Sequence, residues 1–274
     1  MSTIVTNNLG AELLFTTVAK QVLPEVTGVE LPLHLFTVDQ YERLAEFGLL
    51  PKRGVELIEG AILLKDGYDD ESYQPFFVAK IYNQDDSTET ELFEFSVAAY
   101  ERMIDLGILT KNDHVELLEG VIVQMSPKGI GHNLAVDYLT KALILMLKDD
   151  WSVRPQGTLQ LSKAEPEPDL VVLRGLPEDY SRHPNEHDVG LIIEVSDSSL
   201  AKDRDTKGVI YAKYGLPEYW IVNLVDEQIE IYKRDPQHRS KYAQPVLIGK
   251  DQSLTVELEG KVYGQIRASK LFLA

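Results

Sequence analysis

The chain has 274 residues, of which 44% are hydrophobic and 26% charged, a composition typical of a globular protein rather than a disordered or fibrous one. Its 44 Asp and Glu residues outnumber its 27 Lys and Arg residues and leave a formal charge of −17, which argues against a nucleic-acid coat protein. The chain has no cysteine, so we expect no disulfides and no thiolate chemistry, as is usual for a cytoplasmic protein. No apolar run approaches the length of about 20 residues that a membrane-spanning helix requires, so we expect no membrane anchor.

An internal repeat organises the first half of the chain. Residues 36–48 and 55–62 recur as 95–107 and 115–122, at an offset of roughly 59 residues that becomes 60 after a one-residue insertion. Two copies are too few for a solenoid, which needs about three stacked units. We therefore interpret them as a duplicated supersecondary unit.

Each copy carries the signals of a helix followed by a β-hairpin. Amphipathic helices are predicted over 38–47 and 97–106, behind the N-cap residues Thr37 and Ser96. In the second copy the following residues alternate in polarity around a Glu-Gly pair at 119–120, which predicts a tight hairpin turn.

The charge distribution suggests where the chain divides. Residues 1–94 hold 17 acidic and 6 basic residues, and much of this excess lies in an acidic connection at 66–94. We expect an N-terminal segment at 1–94, containing the first copy and this linker, and a longer domain at 95–274 that is only mildly acidic.

Beyond Gly131 the pattern changes to longer elements. Apolar spacing predicts a helix over 132–148 and a second helix over 198–214 that ends at a glycine. Strands are predicted at 153–161, 170–173, 190–195, 219–223, 228–232, 241–248 and 253–257. The order of helix, three strands, helix and strand, followed by a meander, indicates an α/β or α+β sheet with helices packed against it.

Two carboxylates lie at the ends of apolar strands in this region. Asp169 opens the strand at 170–173, and Glu194 closes the strand at 190–195. Ionised carboxylates at the edge of a core are costly unless a cation pairs with them. A Mg²⁺ ion would need oxygen ligands of this kind. The alternative is that Asp169 is a turn residue after a proline and that Glu194 pairs with a nearby Lys or Arg.

Several motifs in this region occur in a fixed order. They are PDLVV at 168–172, LIIEVS at 191–196, DRDTK at 203–207 and YAKYGLPEYWIV at 211–222, preceded by ELLEG at 116–120, MSP at 125–127 and His132. Together, over roughly residues 95–235, they resemble the Uma-two family of restriction-endonuclease-like proteins, which is placed in the PD-(D/E)XK nuclease superfamily. The first copy, 36–65, looks like a detached duplicate of the opening unit of that family.

The resemblance implies a restriction-endonuclease-like core of helix, three strands, helix and strand, preceded by the duplicated helix–hairpin unit. It also implies that Asp169 and Glu194 hold Mg²⁺ or Mn²⁺, with the carbonyl oxygen of Val195 as a third ligand. The superfamily usually has a Lys two residues after the Glu, where this chain has Ser196. In the Uma-two pattern a Lys on the following helix takes that role, and Lys207 matches it.

Each of the remaining candidates has an alternative interpretation. Lys207 could instead form an ion pair with Asp203 on an exposed helix face. His132, at the start of a helix, could support a metal-bound water or contact a phosphate, or it could cap its own helix. Glu116 is a supporting candidate, but the first copy repeats it as Glu56 without the rest of the motif, which favours a hairpin role.

Three functions are compatible with the sequence. The first is a metal-dependent endonuclease that hydrolyses DNA, with Asp169 and Glu194 as metal ligands and Lys207 as the assisting cation. The second is a catalytically inactive nuclease scaffold with a binding or regulatory role, and the third is a carboxylate metallohydrolase acting on a small phosphorylated substrate. DNA binding would require a local basic cluster, for which the candidates are Lys202, Arg204, Lys207, Lys213, Arg154 and Arg174. A two-fold homodimer is expected because it is the commonest assembly of soluble proteins.

Overall fold

The computed structural model describes residues 3–6, 12–21, 30–65, 77–82, 87–148, 150–238 and 240–272. The chain divides into two compact units, Met1–Met125 and Ser126–Ala274. Both helix–hairpin copies belong to the first unit, and the predicted division into 1–94 and 95–274 stays a prediction. No helix among the described residues is long and apolar enough to cross a membrane.

The first unit contains a five-stranded antiparallel sheet. Its strands are β1 (Thr3–Thr6), β2 (Glu12–Gln21), β3 (Glu30–Pro32), β6 (Phe77–Tyr82) and β7 (Ser87–Glu91). Strand β2 pairs with β1, β3 and β6, and β6 pairs with β7. Two of these strands, β6 and β7, lie within the acidic segment at 66–94; residues 66–76 and 83–86 of that segment lie outside the described residues.

The same unit contains the two helix–hairpin copies, as the sequence predicts. The first consists of α1 (Val38–Glu46), β4 (Val55–Ile58) and β5 (Ala61–Leu64), and the second of α2 (Val97–Asp105), β8 (Val115–Leu118) and β9 (Val121–Gln124). The side chains of Thr37 and Ser96 cap the two helices by accepting hydrogen bonds from backbone N–H groups. At the hairpin turn, Glu119 and Gly120 have φ angles of 47° and 86°, the left-handed conformation that a two-residue hairpin turn of this kind requires.

The second unit is built on a six-stranded mixed sheet. Its strands follow the order β10 (Trp151–Pro155), β11 (Leu170–Arg174), β12 (Val189–Ser196), β13 (Glu218–Asn223), β14 (Gln228–Lys233) and β15 (Val246–Gly249). Neighbouring strands are antiparallel except β12 and β13, which are parallel. A hairpin of β16 (Ser253–Leu258) and β17 (Lys261–Arg267) follows.

Two helices complete this unit. Helix α3 (Ile130–Leu147) precedes the sheet, and its apolar residues share a core with one face of the sheet and with the β16–β17 hairpin. Helix α4 consists of Leu200–Lys202, a π-helical turn at Asp203–Lys207, and Gly208–Lys213, and it forms the crossover that the parallel pair β12 and β13 requires. The predicted α+β core of helix, three strands, helix and strand is confirmed.

Central strand β12 is buried along its whole length, which explains its continuous apolar run. Gly190 in this strand lies under the ring of Trp151, because a Cβ atom placed there would be 2.2 Å from a ring carbon. The predicted element boundaries differ from the structure mainly in the loops. The strand predicted at 153–161 lies at Trp151–Pro155 in the structure. The sequence pattern predicts no strand at the position of β17.

Candidate active site

The register of β11 and β12 brings the two predicted carboxylates together. Leu170 is paired with Ile193 in this antiparallel ladder, so the next residues outward, Asp169 and Glu194, are cross-strand neighbours. The backbone N–H of Asp169 donates a hydrogen bond to Glu194 Oε2 at 3.3 Å. Asp169 is 5% exposed and Glu194 3% exposed. Since two like charges directly opposite each other are destabilising, the site requires counter-charges.

Three parts of the second unit supply hydrogen-bond donors or a cation to the carboxylate of Asp169. Its Oδ2 atom accepts hydrogen bonds from the backbone N–H of Val195 and from His132 Nε2, each at 2.9 Å. Its Oδ1 atom lies 3.2 Å from Lys128 Nζ, at the loop before α3. Burial by itself would raise the pKa of Asp169, but the bond and charge of His132, the charge of Lys128 and the Val195 N–H outweigh it and lower the pKa.

Helix α4 supplies two side-chain donors to Glu194. Lys207 Nζ lies 3.0 Å from Glu194 Oε1, and the Tyr211 hydroxyl donates to the same oxygen at 2.9 Å. Lys207 and Tyr211 are four residues apart and therefore neighbours on one helix face. Lys207 is 4% exposed, so the interpretation of it as an ion-pair residue on an exposed helix face is excluded.

Lys207 is the last residue of a π-helical turn, Asp203–Lys207, and such turns are frequent at functional sites. Asp203 is buried there, and its Oδ2 atom accepts hydrogen bonds from the hydroxyls of Ser196 at 2.7 Å and Ser199 at 2.6 Å. Burial raises the pKa of Asp203, although the charge of Lys207 and the two serine hydroxyls act in the opposite direction. Ser196, in the position where the superfamily has a Lys, thus holds the start of α4.

His132 lies in the first turn of α3 and is 7% exposed. Because Nε2 faces a carboxylate oxygen, this nitrogen carries a proton and donates it to the hydrogen bond. Its buried Nδ1 atom has no hydrogen-bond partner among the described residues. The structure therefore places His132 as a donor to Asp169 rather than as the cap of its own helix, whose N-cap residue is Gly129.

The structure brings together four predicted residues: Asp169, Glu194, Lys207 and His132. Val195 is adjacent, and its N–H donates to Asp169; the predicted ligand role of its carbonyl oxygen stays a prediction. Glu116 lies buried in β8 of the first unit.

Sequence reasoning missed Lys128 and Tyr211, although both belong to or adjoin the motifs that it used. Each lies four residues from a residue that was predicted, Lys128 before His132 and Tyr211 after Lys207. Helical spacing could have indicated Tyr211, whereas Lys128 precedes its helix, so spacing gave no such signal.

The two carboxylates suit a hard cation better than a soft one. Within the described ranges, no group of three or more His, Cys, Asp or Glu side chains is arranged to hold a metal ion. Mg²⁺ commonly takes only one or two carboxylates and completes its shell with water and substrate phosphate. Asp169 and Glu194 therefore fit Mg²⁺, and they do not fit an ion that requires three or four protein ligands.

The six candidate DNA-contacting cations do not form one open face. On α4, Lys202 and Lys207 are buried whereas Lys213 is exposed. Among the ion pairs of these residues are Arg174 with Glu259, Arg204 with Glu230, and Lys207 with Glu194. The guanidinium of Arg154 lies 4.7 Å from the centre of the Tyr180 ring.

Sheet order and helix placement define an α+β protein with paired carboxylates at the ends of adjacent strands. A family model described as Uma2, putative restriction endonuclease, matches residues 97–261. The chain therefore belongs to the Uma2 family, as its motifs predict.

Two further comparisons accompany the family match. A crystal structure described as a putative nuclease belonging to DUF820 from Anabaena variabilis is similar at a TM-score of 0.48 and 14% identity, covering 61% of this chain and 94% of that one. No curated protein sequence matches the chain.

Proposed function

We propose that the chain is a metal-dependent endonuclease that hydrolyses phosphodiester bonds in DNA. The observation that carries the proposal is the contact of Lys207 with Glu194 beside Asp169, inside a buried cluster that the sequence motifs predict. Membership of the Uma2 family supports the same reaction class. Buried carboxylates and a buried ammonium are expensive for a fold, and a catalytic task is one reason to retain them.

Asp169 and Glu194 are the side chains that would hold Mg²⁺ or Mn²⁺, together with the carbonyl oxygen of Val195. When bound, the ion would polarise the phosphate and lower the pKa of a water molecule. The donors already on each carboxylate fix its orientation: His132 and the Val195 N–H for Asp169, and Tyr211 for Glu194.

The cations of the chain have separate roles in this proposal. Lys207 would orient the attacking water and offset the negative charge that develops on the phosphate. Lys128 is 27% exposed at its side chain and thus lies between the buried Asp169 and solvent, where it would contact a phosphate oxygen. Without a divalent ion, the Lys128 ammonium neutralises Asp169 and the Lys207 ammonium neutralises Glu194.

DNA binding by a chain of charge −17 depends on local contacts. Arg154 supports such a contact, because on β10 it is paired in register with Val171, two residues from Asp169. We expect the affinity to fall steeply as salt rises, since lysine and arginine contacts with phosphate release counterions.

One observation favours a second candidate, the catalytically inactive nuclease scaffold. Both carboxylates are already neutralised by lysines, and several further basic residues of this unit pair with acidic ones. In this alternative the cluster only stabilises the fold, and no divalent ion binds.

Metal binding and plasmid nicking, measured on the same samples, test the proposal. We expect calorimetry to detect Mg²⁺ or Mn²⁺ binding by the wild type and none by Asp169→Ala. Nicking should be lost in Asp169→Ala and Lys207→Ala and retained in Lys270→Ala, which removes an exposed lysine elsewhere in the same unit.

Two results would reject the nuclease. A wild type that binds no divalent ion at millimolar concentration and leaves the plasmid intact supports the inactive scaffold. A wild type that binds the ion and hydrolyses small phosphate esters but not DNA supports the metallohydrolase that acts on a small phosphorylated substrate.

A further inference from the structure

The two helix–hairpin copies are joined by reciprocal hydrogen bonds. The N–H of His34, before the first copy, donates to the carbonyl of Ile122 in the second hairpin at 2.9 Å. The N–H of Phe93, the corresponding position before the second copy, donates to the carbonyl of Ile62 in the first hairpin at 2.9 Å. Residues 34 and 93 match in the repeat, and so do 62 and 122. Each copy therefore contacts the other through the same pair of positions.

The isolated β-bridges repeat this reciprocity. Leu33 is bridged to Val123, and Leu92 is bridged to Leu63, which are again matching positions exchanged between the copies. Reciprocal contacts of this kind define an isologous interface, in which one surface patch meets a second version of itself.

The aromatic rings at the centre of this interface locate its axis. Phe36 and Phe95 occupy the same position in the two copies, and their ring centres lie 5.8 Å apart. A residue that meets its own counterpart lies beside a two-fold axis. The shared core is built from such matching pairs, among them Phe36 and Phe95, Leu44 and Met103, Val55 and Val115, and Ile62 and Ile122.

We infer that the first copy occupies, within one chain, the place of the partner in a two-fold dimer of the second copy. The surface of the second copy that carries Phe95 is a self-pairing surface, and residues 36–65 cover it. The homodimer expected from the sequence is therefore not formed through this unit. Only the second copy is followed by Asp169 and Glu194. The paired copies of one chain therefore carry one candidate active site, whereas a dimer of two second copies would carry two.

One polar contact favours the pairing of unlike copies over the pairing of two second copies. Gln40 Nε2 donates to the carbonyl of Ile108 at 2.9 Å, and Ala99 in the matching position has no such group. Arg43 donates to the carbonyl oxygens of Leu106 at 2.6 Å and Gly107 at 3.2 Å. Its matching residue is Arg102, so the arginine contact does not distinguish the two pairings.

Sedimentation equilibrium of full-length variants tests this inference. Phe36→Asp should double the mass of the wild-type particle, whose single chain weighs 30.9 kDa, by releasing the second copy to pair with another chain. Phe36→Asp/Phe95→Asp should return to the wild-type mass, because the released surface is then blocked. Phe47→Asp is the matched control: it changes an exposed phenylalanine of the same copy and should keep the wild-type mass. A folded Phe36→Asp of wild-type mass, or a double variant of doubled mass, overturns the inference.

A second measurement does not depend on how Phe36→Asp folds. The chain contains no cysteine, so introduced thiols can be cross-linked without background. Under a small thiol oxidant such as diamide, a disulfide should form within one chain in Phe36→Cys/Phe95→Cys, whose native ring centres are 5.8 Å apart, and none should form between chains in Phe95→Cys. Chain-to-chain cross-linking in Phe95→Cys would show that the second copies already pair in the protein and would overturn the inference. Neither readout involves nuclease activity, so either proposal can fail alone.

Discussion

Replacing Lys207 by methionine would leave the carboxylate of Glu194 buried without its cation. The side chains of this pair are 5% and 4% exposed, so solvent cannot take the place of the ammonium. Removing one partner of a buried pair typically costs about 3–5 kcal/mol. Tyr211 and the Asp169 N–H would still donate to Glu194. We therefore expect Lys207→Met to lower the free energy of unfolding by about 3 kcal/mol, at the low end of that range.

Urea unfolding followed by tryptophan fluorescence measures this loss selectively. The chain has two tryptophans, Trp151 and Trp220, and both lie in the core of the second unit. Lys213→Met is the matched control, since it removes an exposed lysine of the same helix and should change stability by less than about 0.5 kcal/mol. Glu194→Gln/Lys207→Met should recover part of the loss, because the uncompensated charge is gone.

Two outcomes of the urea experiment would contradict a buried charge pair of Lys207 and Glu194. If Lys207→Met unfolds at the same urea concentration as the wild type, Glu194 does not depend on Lys207 in solution, and the buried pair is not formed. Equal losses in Lys207→Met and in the double variant would show that the effect comes from packing and not from charge.

Three other predictions concern the same unit. Asp203→Asn should become more stable relative to the wild type as pH rises from about 4 to 7. The raised pKa of the buried Asp203 means that its neutral form suits the fold and that stability is lost on ionisation; unfolding midpoints whose difference does not depend on pH would contradict this. Arg204→Met should lower stability by about 2 kcal/mol in the same urea assay, because it leaves the buried Glu230 without its guanidinium although Asn223 and Tyr232 still donate to it; a midpoint like that of the wild type would be the contrary result. Gly190→Ala should cost about 2 kcal/mol or more and alter the near-ultraviolet dichroism of Trp151, since a methyl group would overlap its ring; an unchanged spectrum and midpoint would argue against this packing.

Much of the secondary structure could be predicted from the sequence, because its signals are local. Cap residues, the Glu-Gly turn and the apolar periodicities are short-range features, and they predicted both helix–hairpin copies and the order of the α+β core. The position of Asp169 and Glu194 at strand ends was also visible in the chain. Repetition of a sequence likewise reveals that two copies exist.

Only the tertiary structure decided which of these residues meet. The alignment of β11 with β12 makes Asp169 and Glu194 neighbours, and α4 then directs Lys207 inward to Glu194 although spacing alone allowed an exposed position. Lys128 reaches Asp169 from a loop that carries no periodic signal. The reciprocal contacts between the two copies could not be predicted from the sequence either. Hydrophobic periodicity specifies which face of an element is buried, but strand register and the contacts between distant elements depend on how whole surfaces pack.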